Sequence, residues 1–445
     1  MGLGVVAFER PLGGGLAPSR APRRLIEGMN MSMLSVLPEG GEFLSQSSPQ
    51  SGGVKDEPAP TRPAAAWAFE VRRFIDEFVI PNESTLGKDD AASAQMLSDL
   101  AASARAAGFW GLFYPASLGG KIASLEDYVA VAEEEGRSEF GPAIFGSEAI
   151  ADVYVMNEHG NAEIRSRFLA PTVSGDAVPS YGMSEPDSIG SSPATIKTSA
   201  RLADSVWIVN GRKWFVCRSD RGAFITVVTK TDAGAPLDRA LSMIIVPANS
   251  RGVTAERPLD IFGRFQGQRE ISFSEVEVPV SNLLGERNRG LDLVRQRLGL
   301  GRMLRSAQWV GLAQRCLDLM CGRICSERGE LARLSEKQLI RLHVFEAHKA
   351  IVSARALVRL AARGFDSHSL SDIEVMTAKV AASEALGKAA DSAVQIFGAE
   401  GVSSLTPLSG IYRTARATRF MDGTDEALVN ATGRNIIASW AKVPR

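Results

Sequence analysis

Cysteine and histidine are scarce, with four of each in 445 residues. So few cysteines in a chain this long build no disulfide framework, and a reducing compartment is expected. Three of them, Cys316, Cys321 and Cys325, lie close together. No zinc-type Cys-x-x-Cys pair is among them, and one helix cannot point all three at a single ion, so they read as small apolar residues on a helix and no metal centre is expected. His343 and His348, five apart in a helical stretch, do not share a face. The formal net charge is −1, which leaves no basic excess to neutralise phosphates and argues against a nucleic-acid binder. No apolar run approaches the ~20 residues of a membrane span. A basic n-region with a long apolar core is missing, so no secretory signal is expected, and "MGLGVV" lacks the Ser or Thr of a myristoylation site. The glycine loop "YPASLGGK" lacks P-loop spacing.

What is present changes character along the chain. Residues 1–63 contain "PLGGGLAPSRAPRR" and "SQSSPQSGGVKDEPAPTRP". Segments this rich in Pro, Gly and Ser bury too little apolar surface to offset ordering entropy. They read as a disordered tail, or as an over-long start with Met31 or Met33 as the true first residue. Residues 64–178 carry helical periodicity in "AWAFEVRRFIDEFVIP", "SAQMLSDLAASARAAGFWGL" and "SLEDYVAVAEEEGRS". Residues 179–287 are strand-rich. "DSVWIVNGRKWFVC" is two β runs split by Asn210-Gly211, a hairpin signal, and "AFITVVTKT", "LSMIIVPA" and "REISFSEVEVPV" follow. Residues 288–445 are helical again. No proline occurs between Pro279 and Pro407, and long Ala-rich segments predict a bundle of close-packed helices. The expected architecture is therefore α+β and multidomain: a helical domain, a β-barrel or sandwich, and a helical bundle. It does not alternate strands and helices as a nicotinamide-binding fold would.

Five motifs, taken in order, resemble the acyl-CoA dehydrogenase family over about residues 65–440. The resemblance implies a C-terminal four-helix bundle, FAD as cofactor, an acyl-CoA substrate, a homodimer or homotetramer, and an electron-transfer flavoprotein as acceptor. "YGMSEPDSIGSSPATI" looks like the signature that opens the family's β domain. It implies that Met183 and Ser184 meet the flavin and that Ser191 lies near the pantetheine arm. "NGRKWFVCRSD" is similar to the hairpin that sets an aromatic residue and a Ser or Thr against the flavin. Those places fall on Phe215 and Cys217, whose thiol is a weaker donor than a hydroxyl. "RLGLGRMLRSAQWVGLAQ" resembles the first long C-terminal helix, with Arg302 reaching toward the acyl-CoA. In "SERGELARLSEKQ", Arg328 and Gln338 match the family's pattern while Leu331 and Ala332 replace its Phe and Gly. That arginine crosses to a neighbouring subunit's FAD pyrophosphate, for which its planar fork is suited. "AVQIFGAEGV" supplies Gln395 and Gly398, with Ala399 in place of a glycine.

The last motif is "RFMDGTDEALVNATG". Read by itself, Asp422-Gly423 is a turn, and Thr424, Asp425 and Glu426 are a cap and acidic first turn of a helix. The family has Glu-Gly-Thr here, the Glu being the base in many members, and this chain looks nearer to a subset with Asp-Gly-Pro-Asp-Glu. The resemblance implies that Asp422 removes the α proton of an acyl-CoA thioester, that Gly423 lines the substrate, and that Thr424 and Glu426 meet the cofactor. Asp292 is the second candidate acid. Two alternatives stand beside the dehydrogenase: a flavin oxidase of the nitroalkane-oxidase kind, and a catalytically degenerate relative acting as a scaffold. The compartment expected is the cytoplasm for a bacterial chain, with mitochondrial matrix or peroxisome open for a eukaryotic one.

Overall fold

Helix α1 (Ala64–Phe74) buries Trp67, Val71 and Phe74, the single stripe that an i, i+4, i+7 spacing produces. The computed structural model describes residues 62–441 apart from 190, 191, 368 and 370; the expected tail thus lies almost wholly outside the described residues. Helix α2 (Ala91–Ala106) starts where the Asp90 side chain accepts from Ser93 N, and α3 (Leu125–Glu135) where Ser124 accepts from Asp127 N. Helix α4 (Ile150–His159) completes the helical layer that reaches the later site.

Eight strands follow: β1 (Pro179–Gly182), β2 (Ser199–Ala203), β3 (Val206–Val216), β4 (Phe224–Lys230), β5 (Leu241–Pro247), β6 (Val253–Pro258), β7 (Arg269–Pro279) and β8 (Leu283–Leu284). They form one sheet in the order β6-β7-β3-β2-β4-β5-β8, with β1 parallel to β4. Alternate residues of β4 and β5 face opposite ways. Ile225, Val227, Ile244 and Val246 join Trp207, Val209, Phe273 and Val276 in a core enclosed by the sheet itself. Phe224, Val228, Met243 and Ile245 join the core shared with the helices. Burial on both faces is why these two strands read as unbroken apolar runs.

The Asn210-Gly211 signal does not make a hairpin. Both residues lie inside β3, at a shift in the β3–β7 register between Val209 and Gly211. Gly211 has φ of 143°, and a side chain there would strike Thr198. Asn210 spends its amide on the neighbouring strand: Nδ2 donates to Glu275 Oε1 at 2.6 Å, and Oδ1 accepts from Glu275 N at 2.8 Å. The dipeptide serves a β-bulge because a cross-strand partner satisfies it.

The C-terminal region is a bundle of α5 (Gly290–Ile324), α6 (Gln338–Asp366), α7 (Asp372–Phe397) and a fourth helix broken into α8 (Leu408–Thr418) and α9 (Asp425–Ala441). Both halves of the broken helix pack on α7. Ala378, Ala382, Ala385, Ala389 and Ala393 are buried along α7, so neighbouring axes come close. Cys316 is buried, whereas Cys321 and Cys325 are exposed. Among the described residues no helix is long and apolar enough to cross a membrane.

Helix α5 also ties the bundle to the first helical layer. Arg315 makes two 2.7 Å bonds to the Glu83 carboxylate. Gly311 lets α5 lie directly on α3, since a Cβ there would sit 1.7 Å from the Glu133 carbonyl oxygen. Gly311→Ala must push the two elements apart. The expected cost is about 1–3 kcal/mol, read as a lower urea midpoint of the purified protein.

Candidate active site

The break between α8 and α9 follows from local chemistry. Asp422 has φ of 56° and Gly423 has φ of 102°, conformations that cannot continue a right-handed helix. Three contacts hold the break open. Arg302 Nε donates to the Asp422 carbonyl at 2.8 Å. Lys379 Nζ, from α7, donates to the Gly423 carbonyl at 3.0 Å. Asp425 N donates to the Arg419 carbonyl at 3.0 Å. Thr424 Oγ1 accepts from Ala427 N and caps α9. The buried Asp425 carboxylate accepts from Lys379 Nζ at 2.5 Å, Ser383 Oγ at 2.8 Å and Arg419 Nε at 3.0 Å. Burial lowers the Lys379 pKa, and the bond to Asp425 works against that fall.

Asp422 is thus free of the structural task that Asp425 carries. Its side chain is 19% exposed, and Oδ2 lies 3.1 Å from Arg305 Nε. Oδ2 is buried and has no hydrogen-bond partner. Asp292, the second candidate acid, is exposed on α5 and paired with Arg289 at 2.9 Å. It lies ten residues before Arg302, about 15 Å along the helix, and is not part of this site.

A second wall comes from the sheet. The β3–β7 register shifts again between Lys213 and Val216, and Phe215 takes φ of 48°. This bulge turns the Phe215 ring outward, 47% exposed, beside Trp214 at 5.2 Å between centroids. Trp214 N donates to the Ser184 carbonyl at 3.0 Å, which brings the Met183–Ser184 turn to the bulge. Cys217 bridges to Tyr181 through the backbone, and the Tyr181 hydroxyl donates to Met183 Sδ at 3.8 Å. Burial pushes the Tyr181 phenol well up, and Asp422 is among the charges that act on it in the same direction. Arg297 stacks over the Tyr181 ring at 3.7 Å and is held by Asp152, which also binds Arg218.

Beneath the bulge lies a buried ion pair. Lys213 Nζ donates to Glu185 Oε1 at 2.8 Å and to the Met183 carbonyl at 2.9 Å. Glu185 also accepts from Lys197 N at 2.7 Å and Thr198 N at 2.9 Å. Burial alone would raise the Glu185 pKa; Lys213 and these donors outweigh it and bring the carboxyl from 4.5 down to about 2. Burial lowers the Lys213 ammonium to about 8.

The remaining candidate residues lie away from this group. Arg328 is exposed and pairs with Glu400, which Arg323 also approaches at 3.5 Å. Gln338, Gln395 and Gly398 are exposed at this same end of the bundle. Arg323 is about 30 Å from Arg302 along α5. One chain therefore separates Arg328, Gln395 and Gly398 from the group formed by Asp422, Gly423, Thr424 and Arg302. Glu426 stands on the exposed side of α9, with Arg419 at 3.3 Å. Ser191 lies outside the described residues. A surface cavity of about 500 Å³, lined by Asp232, Arg239, Glu286, Arg287 and Arg289, opens near the start of α5, about 20 Å from Arg302.

Four residues of the site escaped the sequence reading: Arg305, Lys379, Lys213 and Glu185. The two lysines had a signal. Each lies inside a largely apolar run, "WIVNGRKWFV" and "VMTAKVAASEAL", at a position that the run's own periodicity places inward.

Comparisons with known proteins bear on family and fold. The chain matches family models described as the N-terminal, middle and C-terminal domains of acyl-CoA dehydrogenase over residues 64–176, 180–276 and 288–437. Acyl-CoA dehydrogenase family member 11 of Homo sapiens is 32% identical over 83% of this chain and 48% of its own length. The Mycobacterium tuberculosis protein named "Probable acyl-CoA dehydrogenase FadE2" is 30% identical over 78% of this chain and 87% of its own. The chain spans about half the length of the family member 11 relatives it matches. Butyryl-CoA dehydrogenase from Megasphaera elsdenii superimposes with a TM-score of 0.74, covering 87% of this chain and 100% of that one; at 23% identity the likeness is one of fold.

The Lys213–Glu185 pair supplies a test. Removing one partner of a buried pair strands the other charge, so Lys213→Met is expected to cost about 3–5 kcal/mol in chemical denaturation. The Glu185 pKa is lower in the folded state than the unfolded value of 4.5. Its stabilisation is complete above that value and is lost as the pH falls from 4.5 toward 2. Glu185→Gln is expected to flatten this part of the stability–pH curve.

Proposed function

The chain belongs to the acyl-CoA dehydrogenase family, and on that footing we propose that it desaturates acyl-CoA thioesters between the α and β carbons. The observation that carries the reading is the Asp422 carboxylate. It hangs from a residue held at positive φ by Arg302, keeps a buried oxygen without a hydrogen-bond donor, and faces the same region as Tyr181. An acid placed this way can take a proton from a bound substrate.

The residues of the sheet wall fit a flavin. Phe215 offers an exposed aromatic face, and Ser184 and Cys217, on the two segments that meet at the bulge, carry a hydroxyl and a thiol suited to a polar ring edge, with Met183 beside them. Bound FAD would supply the acceptor for the β hydrogen. The chain's own part is to hold the thioester so that the α proton lies within about 3 Å of Asp422. Gly423, next to the acid, has no side chain to keep the thioester away. Asp422 is one methylene shorter than the family's usual Glu, so its backbone must come closer to the substrate, and Arg302 on the Asp422 carbonyl fixes that position. Arg328, Gln395 and Gly398, remote from this site, serve the FAD of a second copy, which makes the working form a homodimer or homotetramer. An electron-transfer flavoprotein is the proposed acceptor.

Protein reconstituted with FAD and mixed anaerobically with a panel of acyl-CoAs of different length and branching is expected to lose its flavin colour with at least one member. Asp422→Asn is expected to slow that bleaching at least ~100-fold while retaining flavin. Full-rate bleaching by Asp422→Asn would remove the base assignment.

A further inference from the structure

The Lys213 ammonium has two acceptors, and they depend on it unequally. The Glu185 carboxylate has other donors: Lys197 N at 2.7 Å, Thr198 N at 2.9 Å and Ser188 Oγ at 3.2 Å. The Met183 carbonyl, 2.9 Å from Lys213 Nζ, has no other donor among the described residues. Gly182 leaves room for the lysine stem, since a Cβ there would stand 3.2 Å from Lys213 Cγ.

The Met183 carbonyl is one end of a peptide whose other end is the Ser184 N–H. Among the described residues that N–H has no acceptor, while the Ser184 carbonyl is tied to Trp214 N beside the Phe215 bulge. A donor is thus left open at the sheet wall, with a buried cation bonded to the far end of its own peptide. A bond to a cation draws electron density toward the carbonyl oxygen and makes the N–H of the same peptide a stronger donor. Lys213 is fully buried, so water screens this effect little. Burial brings the ammonium down to about 8, so it still carries its charge at neutral pH.

We infer that Lys213 tunes the cofactor: through the Met183–Ser184 peptide it strengthens the Ser184 N–H as a donor to the flavin's polar ring edge, and so raises the potential of the bound flavin. This rests on the flavin lying against the sheet wall. Reduction adds electrons to the ring, so a stronger donor at its polar edge favours the reduced form over the oxidised one. Lys213 acts through a peptide and is a positioning residue.

The test is the midpoint potential of the bound flavin, followed by dye-linked reduction of FAD-loaded protein at neutral pH without substrate. The decisive pair is Glu185→Gln against the double variant Lys213→Met/Glu185→Gln. Both lack the carboxylate charge, and the double variant strands no charge, so it remains usable where Lys213→Met alone does not accumulate. Relative to oxidised FAD, the double variant is expected to hold reduced FAD at least about tenfold less tightly than Glu185→Gln does, a potential lower by about 30 mV for a two-electron couple. Glu185→Gln keeps the ammonium and is expected at or above the wild-type potential. The double variant, which matches wild type in net charge at this place, is expected below it. Equal potentials in the pair, whether unchanged or lowered together by a loosened site, would overturn the inference. So would a double variant at the wild-type potential, since net charge and not the peptide would then be acting. Wild-type protein that binds no FAD would instead overturn the flavin reading beneath it.

Discussion

The buried pair between Lys379 and Asp425 is the contact on which the site depends. It joins the Ala-rich α7 to the first residue of α9, and both side chains are cut off from water; Asp425 is the only carboxylate bonded to Lys379 among the described residues, while Arg419 and Ser383 also bond Asp425. The ammonium gives a second bond to the Gly423 carbonyl. That bond anchors the chain where the fourth helix fails to continue. The adjoining residue, Asp422, adopts positive φ, and its carboxylate keeps a buried oxygen that pairs with Arg305 without a hydrogen bond.

The sheet repeats the device. Lys213, also buried, gives one bond to Glu185 and one to the Met183 carbonyl. Two residues along β3 stands Phe215, the other site residue forced to positive φ. In each case a buried lysine of an ion pair also bonds a backbone carbonyl: that of Gly423, next to Asp422, and that of Met183, whose neighbour Ser184 accepts from Trp214 N beside Phe215. Strained backbone of this kind persists only where its surroundings over-determine it; at Asp422 these surroundings include Arg302 on its own carbonyl as well as Lys379 on the next one. A buried ion pair contributes little net stability; its use at these two places is to impose one geometry.

The sequence made the large divisions legible. The helix–sheet–helix order followed from periodicity, and the family from motifs in the right order. The α1 stripe is a direct reading of a 3.6-residue repeat, and the double-faced strands β4 and β5 of unbroken apolar runs bounded by turn residues. What stayed hidden was whatever depends on a distant partner. Asn210-Gly211 has the composition of a turn, and only Glu275 on another strand makes it a bulge. Arg305 is one of many arginines until the fourth helix breaks beside it. The motif ranks Asp422 ahead of Asp292 in the sequence, and exposure and the length of α5 between them set Asp292 apart from the site. The separation of Arg328 and Gln395 from Asp422 is likewise a matter of three-dimensional distance, about 30 Å of helix, that no local pattern records.

The account's central claim is spatial: a flat cofactor lies against the Phe215 bulge with the carboxylate of Asp422 across from it. The most direct test is an experimental structure of the FAD-loaded protein holding an acyl-CoA analogue that cannot be oxidised. The account predicts the ring system against Met183, Ser184, Phe215 and Cys217, with an Asp422 oxygen about 3–3.5 Å from the carbon next to the thioester carbonyl. A ring system bound elsewhere, or a carboxylate turned away from that carbon, would contradict it.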